Sequence, residues 1–190
     1  MARQSSVALT APTSEDRFAA TGADLHHDLV SVNELDALHP HRAQTLLEQM
    51  VGSRRWVDLM VTRRPYGSRE ALMTAAAAAF DELGDADWRE AFAAHSAIGA
   101  PRPGDSRGAA EQTGAASATP EQRAALVEGA DRYEQRFGHV FLIRAAGRGP
   151  QEILQALTQR LGNDPATELR LAADQQREIT LRRLSELIAG

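Results

Sequence analysis

Apolar side chains along this chain recur at helical spacing, and the punctuation between them is that of helix starts and stops. Ser31-Val32-Asn33-Glu34 has the Ser-x-x-Glu form of a capping box and opens a short helix ending near Leu38. Pro40 stands where a first helical residue belongs, and the helix over 42–50 is closed by Gly52. Ser53 can cap 54–62, which Pro65 stops, and Ser68 can cap 69–83, whose ALMTAAAAAF run is almost pure helix former. Asp85 can cap the helix that carries Trp88 and Phe92 and ends on His95. Further on, Thr119-Pro120-Glu121-Gln122 is a second capping box, and the helix it opens sets Leu126, Ala130, Tyr133 and Phe137 on one stripe until Gly138 ends it. Residues 150–161 and 165–188 predict two more helices, separated by Gly-Asn-Asp-Pro. The run Val140–Ile143 is too brief for its pattern to choose between strand and helix. No βαβ rhythm and no internal repeat is present. The expected fold is all-α, a single-domain compact bundle of about eight to nine helices over residues 25–190, behind a flexible N-terminal tail at 1–24.

Composition narrows the chemistry by what is missing. A chain of 190 residues, 43% hydrophobic and 25% charged, can bury a core, and no apolar run approaches the ~20 residues a membrane span needs. The N-terminus does not read as a secretory signal, so the expectation is a soluble, cytoplasmic protein. With no cysteine, thiolate nucleophiles, thiolate metal sites and disulfides are excluded. All 21 basic residues are Arg, which removes a lysine Schiff base, a pyridoxal phosphate anchor and a Walker lysine. A net charge of −5 argues against general nucleic-acid binding. Arginine nevertheless suits a small carboxylate or amide, which it grips with two parallel donors.

Candidate chemistry gathers around the stretch Glu90–Ala115, EAFAAHSAIGAPRPGDSRGAAEQTGA. It runs from a helix ending on His95, through a glycine- and proline-rich loop, to the acid–amide pair Glu111-Gln112. Two readings stand for His95. A histidine at a helix C-terminus is favoured by the dipole when protonated, so a capping residue is the plainer one; a base facing a partner across a pocket is the other. His26-His27 and His39-Pro40-His41 lack the spacing that puts two imidazoles on one helical face, so no metal site is expected there. The RAAGRG segment at 144–149 could serve as an anion-binding turn, since Gly147 and Gly149 let backbone amides approach a ligand, but it matches no nucleotide-binding motif.

In order, the segments SRRWVDLMVTRRPYGSREAL, AHSAIG, AAEQTGA, YEQRFGHVFLIRAAGRGPQEIL and RLGNDPATELRLAADQQREITLRRL resemble the 2-oxo-4-hydroxy-4-carboxy-5-ureidoimidazoline (OHCU) decarboxylases of urate catabolism. The resemblance runs from about Leu29 to Ile188. It implies an all-α, usually homodimeric enzyme that needs no cofactor and no metal, acts on a small anionic ureide and yields (S)-allantoin. The family's proton-transferring histidine corresponds to His95, and its acid–amide pair to Glu111 and Gln112. The implied roles are catalysis for His95 and Glu111 and ring-amide recognition for Gln112. Arg148 is the better match for the substrate-gripping Arg, with Arg144 the alternate, and Ser96, Gly108 and Ile143 complete the implied substrate-binding set. The chain departs from the pattern twice. His95 is followed by Ser96 where the family has proline, and the serine expected three residues before Glu111 is Gly108, with Ser106 close by. These departures leave two alternatives open: a diverged relative acting on another cyclic ureide or keto acid, and a helical binding module that has lost the chemistry.

Overall fold

The computed structural model describes residues 29–100, 108, 112, 115, 117–145 and 147–189. The proposed tail at 1–24 lies outside them, as do Glu111, Ser106 and His26-His27. Eight helices make up the described chain, and no strand is found among the described residues: α1 (Val32–Ala37), α2 (Pro40–Glu48), α3 (Arg54–Thr62), α4 (Arg69–Phe80), α5 (Asp85–Ala93), α6 (Pro120–Phe137), α7 (Pro150–Arg160) and α8 (Pro165–Leu187).

The helix starts follow the capping chemistry. Ser31 Oγ accepts from the Glu34 amide while Glu34 returns the bond to the Ser31 amide at 2.8 Å. Thr119 and Gln122 make the same reciprocal pair at α6, and Ser53 and Ser68 cap α3 and α4. Each exchange satisfies donors that the first turn would otherwise leave orphaned.

Three boundaries differ from expectation. α2 begins at Pro40 and ends at Glu48. α4 stops at Phe80 and not at Leu83, because the amides of Asp81, Glu82 and Leu83 turn to carbonyls three residues back and tighten the last turn. The cap of α5 is Gly84, not Asp85; Asp87 reaches back to the Gly84 amide at 2.9 Å, and Asp85 becomes the first helical residue.

Packing divides into two apolar cores. The larger is built from α1–α5 with the inner face of α8, and includes Trp56, Met60, Phe92 and Leu184. The smaller is built from α6 and α7 and includes Leu126, Tyr133, Phe137, Ile153 and Leu157. α8 packs against α4, α5 and α6 and so touches both. Between the cores runs the segment 140–145, whose first four residues, Val140–Ile143, the sequence left open between strand and helix. It is extended and alternates with period two: Phe141, Ile143 and Ala145 pack with the smaller core, Val140 and Leu142 with the larger. With a core on each side, its first four residues, Val140–Ile143, are all apolar, which is why their pattern was mute. The ends of the fold are joined as well. The Val30 amide donates to the Leu187 carbonyl at 2.9 Å, and the Ala189 amide donates to the Val30 carbonyl at 3.0 Å.

Candidate active site

A cavity of about 250 Å³ opens at the seam between the two cores. Five stretches of chain wall it. The end of α2 and the turn after it give Glu48, Gln49, Val51 and Gly52; the end of α5 and the residues after it give Ala94, His95, Ser96 and Ile98. The loop beyond gives Gly108 and Gln112, the extended segment gives 141–145, and α8 gives Ile179, Arg182 and Arg183.

α5 delivers His95 to this wall. The helix ends at Ala93, and the His95 amide closes a last turn on the Phe92 carbonyl at 3.0 Å. Phe92, fully buried, anchors that turn, and the Nε2 atom of His95 is shielded from solvent. The turn after α2 lies tight against it. A Cβ added to Gly52 would stand 2.7 Å from the Ala94 Cβ and 3.3 Å from the Glu90 carbonyl oxygen, so only glycine lets the two chains approach this closely.

Gln112 closes the turn that follows. Its Oε1 accepts from the Gly99 amide at 2.9 Å and its Nε2 donates to the Ala97 carbonyl at 3.2 Å. The left-handed conformation at Gly99, φ +78°, lets the turn present both groups to one carboxamide. Ser96 is buried in the wall.

The described lining carries three guanidinium groups, Arg144, Arg182 and Arg183, against one carboxylate, Glu48. That balance suits an anion. Arg183 is steadied by donation to the Met50 carbonyl at 3.1 Å. Arg182 and Arg144 are half exposed; Arg182 Nε donates to Glu186 at 2.7 Å, and Arg144 pairs more loosely with Glu178 at 3.5 Å, both carboxylates on α8. Among the described residues no group of three His, Asp or Glu side chains could hold a metal ion.

His95, Ser96, Gly108, Gln112, Ile143 and Arg144 thus share one cavity. Arg148 is not in its lining. That side chain is exposed, and its Nε donates to the Arg144 carbonyl at 3.2 Å, so it braces the backbone beside the cavity. Glu111 lies outside the described residues. Reading the sequence missed Arg182 and Arg183. A signal was present: Gln176, Thr180 and Arg183 fall at spacings of four and three on the stripe of α8 that also buries Leu169, Ala172 and Leu184. Polar groups on a helix's buried face need partners or a cavity.

Fold and cavity together define a helical protein with a small, cation-rich pocket walled from distant parts of its sequence. The sequence model described as OHCU decarboxylase matches residues 36–185, and the chain belongs to the OHCU decarboxylase family. It is 37% identical over 147 residues to the uric acid degradation bifunctional protein TTL of Arabidopsis thaliana, covering 73% of this chain and 45% of that protein. It is 40% identical over 57 residues to the 2-oxo-4-hydroxy-4-carboxy-5-ureidoimidazoline decarboxylase of Amia calva, covering 30% of this chain and 33% of that one. The chain therefore spans less than half the length of these curated relatives. Among solved structures, an OHCU decarboxylase crystallised in the presence of (S)-allantoin is 34% identical with a TM-score of 0.66, covering 76% of this chain and 98% of that chain. An (S)-allantoin synthase shares the fold at 17% identity and a TM-score of 0.64, covering 84% and 54%.

Proposed function

We propose that this protein decarboxylates 2-oxo-4-hydroxy-4-carboxy-5-ureidoimidazoline to (S)-allantoin, as a homodimer and without a cofactor. The observation that carries the reading is the gathering of His95, Gln112 and three arginines around one small cavity in a chain of this family. At about 250 Å³ the space lies just below the ~300–1,000 Å³ range of ordinary ligand sites, which favours a single small ring over a nucleotide.

The substrate's own structure supplies the electron sink. Its carboxylate sits on a carbon that also bears a hydroxyl and adjoins a ring C=N. As the bond to CO₂ breaks, its electron pair forms a C=C to the neighbouring ring carbon, and the former imine nitrogen takes up a proton. Loss of the hydroxyl proton and protonation of the ureido-bearing carbon then give the carbonyl of allantoin, with one proton consumed overall. His95 is assigned the proton exchange with the hydroxyl and the resulting enol, base first and acid second. Such transfer is worth ~10²–10⁴-fold. Arg183 and Arg144 hold the anionic oxygens, and delivery of the last proton to one face sets the (S) configuration. Gln112 uses one N–H and one lone pair on the main chain and has a second of each for the ring amide. Glu111 is assigned the orientation of His95 or the ureido N–H groups.

The test is a coupled assay in which urate is oxidised in situ and circular dichroism follows allantoin. The protein should give a fast signal of one hand, and His95→Ala should lower kcat by at least about 100-fold while keeping its helical spectrum. An unchanged rate in the variant removes His95 from the mechanism; a slow racemic background with the unaltered protein removes the reaction.

A further inference from the structure

A cluster of buried polar side chains lies behind the cavity and takes no part in the chemistry above. Glu168, fully buried near the start of α8, accepts from the Tyr133 hydroxyl, from Arg160 Nε at 2.7 Å and from Asn163 Nδ2 at 2.8 Å, and it is ion-paired with Arg160, whose Nη2 lies 2.6 Å away and donates to the Tyr133 hydroxyl at 3.3 Å. Three hydrogen bonds and an ion pair on one carboxylate exceed what neutralising it requires. Such a network is costly to bury, and exchanging a buried ion pair for apolar side chains is often neutral or stabilising. Its arrangement therefore calls for a reason besides stability.

The reason lies at the far end of the arginine. Arg160 Nη1 donates to the Leu142 carbonyl at 2.6 Å, and its guanidinium lies over the Phe141 ring at 4.7 Å from the centroid. Leu142 belongs to the extended segment that walls the cavity. With no strand beside it among the described residues, that segment must find partners for its backbone groups elsewhere. Side chains supply them: Arg160 for the Leu142 carbonyl, Gln175 for the Arg144 amide at 2.9 Å and Arg148 for the Arg144 carbonyl. Buried His139 serves the Val140 carbonyl at the segment's start; of the three bonds at Leu142 and Arg144, only that of Arg160 is drawn from inside the protein, where Glu168 fixes the guanidinium from the opposite side.

We propose that Arg160 is a positioning residue of the active site: clamped by Glu168, it fixes the Leu142 carbonyl and thereby the places of Ile143 and Arg144 in the cavity wall. The proposal rests on the decarboxylase reading only for its kinetic readout. A planar, five-donor fork can hold a carboxylate and a carbonyl at once, whereas an ammonium on a shorter reach cannot span both.

The test pairs Arg160→Lys with Tyr133→Phe. Tyr133→Phe removes a donor to Glu168 and leaves the Arg160–Leu142 bond in place. It should lower the Tm yet keep kcat/KM within twofold. Arg160→Lys keeps the charge opposite Glu168 and should lower kcat/KM at least tenfold, with KM raised, while the Tm stays above assay temperature. Amide hydrogen exchange at Ile143 and Arg144 should quicken in Arg160→Lys only. If Arg160→Lys does not fold, the uncharged pair Arg160→Gln with Glu168→Gln replaces it, with the same expectation. Wild-type kinetics and wild-type exchange in the folded arginine variant, or activity losses in both variants that simply follow their Tm, overturn the proposal. Should the unaltered protein not turn over substrate, the decarboxylase reading fails alone, and exchange at 143–144 with the affinity for added (S)-allantoin still decides the role of Arg160.

Discussion

Gln112 shows how much one side chain can be asked to do. The sequence could show a carboxamide next to a carboxylate, and a resemblance could imply a ligand for it. Neither could show that both ends of the amide are taken up by the Ala97–Gly99 turn next to His95. Gln112→Glu therefore tests more than recognition. One carboxylate oxygen can still accept from the Gly99 amide, but the other would face the Ala97 carbonyl with no proton between them. A lost bond plus a repulsion is worth about 1.5–3 kcal/mol, so kcat/KM should fall ~10–100-fold near pH 8. Protonation restores the missing donor, so the ratio of variant to wild-type activity should climb as pH falls toward ~4–5. A ratio that is flat with pH would mean that the turn does not depend on this amide.

Among the elements, the turn after α2 and the end of α5 are the most closely fitted, and Gly52 is their contact. Gly52→Ala puts a Cβ against rigid neighbours, the Ala94 Cβ and the Glu90 and Ala91 carbonyls, and the end of α5 has to move away. Overpacking of this kind costs about 1–3 kcal/mol. Because His95 is the residue after Ala94, turnover should drop by more than the stability loss alone explains; equal activity in the folded fraction, measured alongside urea unfolding, would refute that. The helices themselves were legible in the sequence, since a serine or threonine cap, a proline at the first position and a glycine stop act within a few residues. Gly52 was legible only as a helix stop. Its approach to Ala94 joins residues 42 apart in the chain, and no local pattern encodes that. The run Val140–Ile143 was mute for a related reason: its alternation depends on which of two cores each side chain enters.

For the molecule as a whole, the placement of the site between two cores was beyond the sequence, while the all-helical class and the candidacy of His95 were not. Arg182 and Arg183 enter the cavity only because α8 spans both cores, which is a fact of packing. The same seam holds a second histidine, His139, and this one is buried. His139 stacks among Phe92, Tyr133 and Phe137, and its Nδ1 donates to the Val140 carbonyl at 3.2 Å. Burial holds its pKa below the ordinary histidine range, partly offset by that bond. The unfolded chain thus binds a proton near pH 6.5 that the folded protein resists, and stability should decline as pH falls below ~6.5 until the folded imidazole itself titrates. One proton limits the slope to about 1.4 kcal/mol per pH unit. His139→Phe should flatten the fall in urea midpoint between pH 7 and 5, and an unaltered slope would exclude His139 as its source. The junction of Val30 with Leu187 and Ala189 has a bearing of its own on this seam. Arg183 stands barely one turn from the end of α8, where a helix ordinarily frays. Stitched to the segment before α1, that end is hemmed, so residues that never meet a ligand keep the guanidinium of Arg183 from wandering.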